Sequence, residues 1–149
     1  MRNGMLQGLE LIAGHLQDDD RIKSIFSINQ DELDFNKRDL YPMANIRPNG
    51  IDFDIKQITY EVVVLDQRDN NKKAIVEKFK GNDNRWDNWA LATDVLNTLR
   101  NKIERLRNEW DIKFVSATSP IIIDKDFANG LDGVSLLITL EYNDRTSVC

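Results

Sequence analysis

The chain has 149 residues, 41% hydrophobic and 30% charged, which is apolar material for one packed domain and too short a length for two comfortable ones. Twenty Lys and Arg against twenty-five Asp and Glu leave a net charge of −5, which argues against a life spent on sequence-independent DNA affinity or on an anionic membrane surface. The longest apolar runs, Val62 to Leu65 and Trp89 to Ala92, are only four residues each, so no bilayer-spanning segment is expected.

In chain order, Met5, Leu6, Leu9, Ile12, Ala13 and Leu16 recur every three or four residues and predict a helix from Met1 to about Asp19. Gly4, Gly8 and Gly14 oppose it, at roughly 1 kcal/mol each against alanine. Asp18, Asp19 and Asp20 read as a solvated turn. Ile22, Ile25, Phe26 and Ile28 predict a short strand or an irregular packed segment, and Asp31 to Asp39 is polar, with Leu33 and Phe35 as isolated anchors. Leu40 to Ile46 reads as a strand that begins at Pro42 or lies at a sheet edge, because proline has no ladder donor. Arg47-Pro48-Asn49-Gly50 has the composition of a turn.

The clearest strand follows, with Ile58, Tyr60, Val62 and Val64 on one face and Gln57, Thr59 and Glu61 on the other. Val63 and Leu65 make its far end apolar on both sides, which requires a second layer there from the chain itself or from another subunit. Gln67 to Lys73 is an Asn-rich loop, Ala74 to Phe79 a possible short strand, and Gly81 to Asn84 a break.

The strongest helix is expected from about Asn84 to Asn108. Trp89, Ala92, Leu96, Leu99, Ile103, Leu106 and Trp110 form its seam, and Asp83 or Asn84 caps it. Asp87 suits the first turns, and Arg100, Lys102, Arg105 and Arg107 suit the last. Ile112 and Phe114 predict a short strand, Ser116 to Ser119 a loop, and Pro120 to Ile123 another short strand. After a loop from Asp124 to Gly133, Val134 to Tyr142 alternates as a second clear strand. The expected fold is α+β, a mostly antiparallel sheet with an N-terminal helix and one long helix packed on one face, in a single domain over residues 1–149.

Chemistry is sparse. None of the seven glycines makes a phosphate-binding spacing. His15, the sole histidine, reads as a helix-surface residue, and the lone Cys149 as a passive terminal thiol. Asp124-Lys125-Asp126 before Asn129-Gly130 hints at a calcium loop but lacks its turn glycine and its bidentate glutamate. Asp52, Asp54 and Glu61 are the best set for a metal-dependent nuclease, yet Val63 stands where a restriction-like enzyme places its lysine. Acids on the wet face of a strand are the simpler reading, so no catalytic residue, metal or cofactor is assigned. Trp86 and Trp89 lie three apart on the long helix, and tryptophan favours the buried centre of protein contacts. Trp89 and Trp110 suit core filling, whereas Trp86, off the seam, suits an interface.

The stretch Asp34-Phe35-Asn36-Lys37-Arg38-Asp39-Leu40-Tyr41-Pro42-Met43-Ala44-Asn45-Ile46 resembles a D-x-N-K-x-x-x-Y-P-L-A-N segment of small neck and tail-completion proteins of tailed bacteriophages, especially those of Bacteroidota hosts. Val62-Val63-Val64-Leu65-Asp66, Trp86-Asp87-Asn88, Leu131-Asp132-Gly133-Val134 and the terminal Cys149 follow in the order of that family. The family resembled is the tail terminator, or head–tail joining protein.

The resemblance implies a structural virion protein without an active site, a homo-oligomeric ring of hexamer or dodecamer type. It would cap the tail tube and dock the tail to the head connector, with genomic DNA passing through without specific binding. Its partners would be itself, the tail tube protein and the portal-associated connector proteins, with no membrane. It would be assembled in a host cytoplasm and end in the virion. Candidate subunit-interface residues are Trp86, Trp89, Tyr41 and Pro42. The closest variant is a portal-proximal connector ring; the alternatives of other classes are a metal-dependent nuclease, which is more distant, and a host-directed binding protein of phage origin.

Overall fold

The computed structural model describes residues 4–27, 41–67, 85–105, 112–123 and 131–142. Among the described residues two helices and six strands run in the order α1 (Gly4–Gln17), β1 (Ser24–Phe26), β2 (Met43–Asp52), β3 (Gln57–Gln67), α2 (Arg85–Arg105), β4 (Ile112–Ala117), β5 (Ile121–Ile123) and β6 (Leu131–Tyr142). They build one sheet in the order β1-β2-β3-β6-β4, with β5 continuing the β4 edge along β6. Among the described residues only β1 and β2 are parallel, and every other pairing is antiparallel. This is the expected α+β architecture. The segments expected at Asp31 to Asp39, at Ala74 to Phe79 and at Gly81 to Asn84, the calcium-like loop through Gly130, the seam positions Leu106 and Trp110, and Cys149 lie outside the described residues.

Both helices lie on one face of the sheet. Ile12 and Leu16 of α1 and Ala92, Val95, Leu96, Leu99 and Ile103 of α2 meet Ala44, Ile46, Ile58, Tyr60, Val62, Val64, Val134, Leu136, Ile138 and Leu140 in one core. The two-residue period of β3 and β6 sends alternate apolar side chains to that face. The burial is worth roughly 1.5–3 kcal/mol for each large side chain.

Two of the glycines predicted to weaken α1 are its contact stripe instead. Gly4, Gly8, Ile12 and Leu16 stand four apart and are all buried. A methyl group on Gly8 would come 2.7 Å from Cζ of Tyr60, and one on Gly4 would come 2.7 Å from Cβ of Tyr142. The helix comes this close to the sheet because those side chains are missing. Leu6, expected on the apolar face, is exposed.

Arg47-Pro48-Asn49-Gly50 is not a turn. β2 runs through it to Asp52, with Pro48 paired to Tyr60 and the register shifting between Pro48 and Gly50. β1 covers only Met43 to Asn45, so at Pro48 the strand has no described neighbour on its other side. An edge position with a bulge tolerates a missing donor. The strand does begin just after Pro42, as expected.

The second layer over the far end of β3 comes from the chain itself. Val63 and Leu65 pack with Tyr41, Met43, Ile123 and Leu131, with Phe26 alongside, on the face opposite the helices. β6 starts at Leu131, three residues earlier than its alternation suggests, because Gly133 allows close packing. A methyl there would come 2.5 Å from Cδ2 of Leu65 and 3.1 Å from the backbone carbon of Val64. β4 also extends through Ser116 and Ala117, its register slipping between Phe114 and Ser116. Thr118 then carries the edge onward, its N–H donating to the Leu137 carbonyl at 2.9 Å.

The acidic triplet is not merely solvated. Asp19 accepts from the Arg21 backbone N–H at 3.0 Å, from Nε at 2.9 Å and from Nη2 at 2.7 Å. The same Nη2 donates to Thr98 Oγ1 on α2 at 3.2 Å, so the end of α1 is tied to the second helix. Hydrogen bonding to Arg21 holds the Asp19 carboxyl below its ordinary range, against the opposing effect of burial. His15 is half-buried on α1, where desolvation and then the Lys102 charge lower its pKa, against a smaller upward pull from Asp18.

Candidate subunit interface

The turn between β2 and β3 forms one end of the sheet. Its sequence, Ile51-Asp52-Phe53-Asp54-Ile55-Lys56, alternates apolar and charged residues, and Ile51, Phe53 and Ile55 are all exposed, Phe53 by 69%. These apolar groups sit on a fastened turn. Asp52 Oδ1 accepts from the N–H of Asp54 at 3.0 Å and of Ile55 at 3.3 Å. Lys56 adopts φ 56°, and its carbonyl accepts from the Tyr142 N–H at 2.9 Å, which pins the turn to the last residue of β6.

The opposite end of the sheet carries the start of α2 and the short edge strand β5. Asn88, buried in the first turns of α2, donates to the Gln67 carbonyl at 3.1 Å and seats the helix over the end of β3. Trp89 is half-buried, and its indole Nε1 donates to the Ile123 carbonyl at 3.2 Å, fastening α2 to β5. Trp86 meets the Trp89 ring edge-to-face, with centroids 5.3 Å apart and planes at 79°, and stays 58% exposed. The Arg85 guanidinium lies 6.0 Å from the Trp89 ring centroid and brings positive charge to this end. Ile121 and Ile122 are exposed by 60% and 58% on β5, which pairs only with β6 among the described residues.

Of the four side chains expected at an interface, only Trp86 presents a large apolar surface. Trp89 divides itself between the core and the β5 carbonyl. Tyr41 is buried, 3% exposed, within the second core, and the Tyr41–Pro42 peptide is cis. Pro42 is half-buried, and its carbonyl accepts from the Lys23 N–H at 2.8 Å. The segment that carries the family resemblance therefore works as a core element where the described residues include it: Tyr41, Met43, Ala44 and Asn45 are all buried.

Sequence reasoning predicted β5 as a short strand but marked neither it nor the hairpin tip as an exposed apolar surface. The signals are present, as alternation of apolar and charged residues from Ile51 to Lys56 and as three consecutive isoleucines after Pro120. Without the fold, the first reads as an acid pair and the second only as a strand.

The acids proposed for a nuclease do not converge. Asp52 closes the hairpin turn, whereas Glu61 pairs with Arg47 on β2, four positions along β3 from the Asp52 partner Gln57 and so about 13 Å away. Among the described residues no group of three or more His, Cys, Asp and Glu is placed to hold a metal ion. Asp66 and Asp132 are directly opposite one another on β3 and β6. Desolvation raises the Asp66 pKa, helped by the Asp132 charge and opposed by the Gln67 N–H and by Lys23. Among the described residues no helix is long and apolar enough to cross a membrane. No family model and no curated protein matches this chain.

Proposed function

We propose that this protein is a structural ring protein of a tailed bacteriophage, placed at the head–tail joint or the tail end, where copies of the chain surround the passing DNA, cap the tail and dock it to the head connector. The observation that carries the reading is the presence of two dissimilar apolar surfaces at opposite ends of one sheet, the hairpin tip and the Trp86–β5 end. A surface of one kind at one end and of another kind at the other end suits heterologous contact, which closes into rings. The likeness of the Tyr41-Pro42-Met43-Ala44-Asn45 segment to the neck-protein motif supports the same reading. The acidic balance of the chain suits a passage that must not hold phosphate.

The test is mass spectrometry of purified particles of the phage that encodes the chain. The protein should be a particle component in a fixed copy number, six-fold for a terminator or twelve-fold for a connector. Its absence from particles, together with a stable complex with a host protein, would replace this reading with that of a host-directed binding protein.

A further inference from the structure

We propose that His15 is a proton-operated latch between the two helices. The neutral imidazole lets the last turn of α1 rest against α2, and a proton taken up from mildly acidic solution loosens that turn. The latch is independent of the ring reading and stands or falls without it.

His15 comes between Ile12 and Leu16, which α1 turns to the sheet, and lies on the side where Thr98 and Lys102 of α2 approach the helix end. It is half-buried, and its Nε2 atom is shut off from solvent with no hydrogen-bond partner among the described residues. A neutral imidazole tolerates this, because Nε2 can stand as an acceptor while Nδ1 carries the proton. Protonation removes that choice. Both nitrogens must then donate, and the charged Nε2–H is left where neither water nor an acceptor reaches it.

The surrounding charges reinforce the effect. Lys102 opposes a second positive charge, and Asp18 favours it by less. Asp19 is committed to Arg21, which also reaches Thr98 and is drawn to Asp94. Elsewhere on the helices, Glu10 and Arg105 are exposed and Arg100 pairs with Glu104. Arg85 and Asp87 belong to the start of α2, where Asp66 and Asp132 also lie, about 20 Å along the helix from Lys102. β1 has no charged residue, and Arg47, Glu61, Lys113 and Glu141 alternate onto the sheet face away from the helices.

Burial acts in the same direction as Lys102 and more strongly, so the folded chain holds the His15 proton less firmly than the ordinary 6.5. As pH falls through 6.5 the unfolded chain binds more protons, and the folded form loses stability. The Asp19 carboxyl stays charged to lower pH, so its clasp on Arg21 outlasts the change and confines the loosening to the turn around His15.

His15 is the sole histidine, so its ring protons give an unambiguous signal in a nuclear magnetic resonance titration of the full chain. The midpoint should lie below that of the same chain unfolded in urea, move up in Lys102→Gln and move further down in Asp18→Asn. A folded midpoint at or above the unfolded one overturns the proposal, and so does a midpoint that Lys102→Gln leaves in place.

Hydrogen exchange, corrected for the intrinsic effect of pH, reads the latch itself. Between pH 7.5 and 5, amides of the last turn of α1 should lose protection relative to those of α2, by about tenfold for each pH unit of displaced midpoint once the ring is fully charged. His15→Gln should abolish the loss. Protection that falls equally in both helices, or equally in His15→Gln, overturns the latch.

Discussion

Gly8 of α1 rests on the ring of Tyr60 in β3, whose hydroxyl donates to the Met5 carbonyl at 2.6 Å one turn earlier in the same helix. The phenol serves at once as the floor under the helix and as a clasp on its backbone. Burial pushes its pKa up, so it remains a donor throughout the ordinary pH range. Gly8→Ala should destabilise the fold by about 1–2 kcal/mol, because overpacking costs more than the gain in helix propensity. Tyr60→Phe should cost about 1 kcal/mol through the lost hydrogen bond. Since the two residues touch, the double variant should depart from additivity in urea denaturation, with part of the Gly8→Ala cost relieved when the hydroxyl is gone.

Two other glycines should behave in opposite ways. Gly133→Ala forces a methyl against Leu65 and the Val64 backbone inside a central strand, and a loss of about 2–3 kcal/mol is expected. Gly14 is exposed on α1, and a methyl added there would meet no atom within 4 Å, so Gly14→Ala should raise stability by about 0.5–1 kcal/mol. Thermal denaturation of the pair distinguishes a packing glycine from a merely helix-weakening one.

These glycines also mark how far the sequence can be read. The faces of β3 and β6 and the seam of α2 are legible because strict periods of two and of three or four leave little choice once one face must be buried. Gly4 and Gly8 are not, since a propensity argument sees a missing side chain as a cost and cannot see the ring that fills the space. Pro48 misleads for a similar reason: its effect on a strand depends on whether a neighbour needs its donor, and β1 stops short of it. At the candidate interface, Trp86 is visible as a tryptophan off the seam. Tyr41 is not recognisable as core, because its burial depends on Leu131 and Ile123 from distant parts of the chain.

Asp66 should make the fold less stable in its charged form. Its folded pKa is raised, so the stabilisation it contributes is present below the ordinary value of 3.8 and is lost as pH rises through the folded value. Asp66→Asn preserves an acceptor for the Gln67 N–H, at 2.8 Å in the wild type, while removing the charge opposite Asp132. The urea midpoint of the variant should exceed that of wild type at pH 7 and converge with it near pH 3.

The Asp19–Arg21 pair carries the reverse sign. The Asp19 pKa is lowered, so its contribution is present above 3.8 and disappears as pH falls through the folded value. Arg21→Ala removes the bonds to Asp19 and Thr98, and a cost of about 1 kcal/mol is expected at pH 7. The difference from wild type should shrink in acid, when Asp19 is protonated in both proteins.

The most direct measurement of the central claim is the mass of the wild-type assembly by multi-angle light scattering and native mass spectrometry across a range of concentrations. The account predicts a closed species of fixed stoichiometry, a whole multiple of the 17.3 kDa chain, seen as rings by negative-stain microscopy. A single species of 17.3 kDa at every concentration would contradict it.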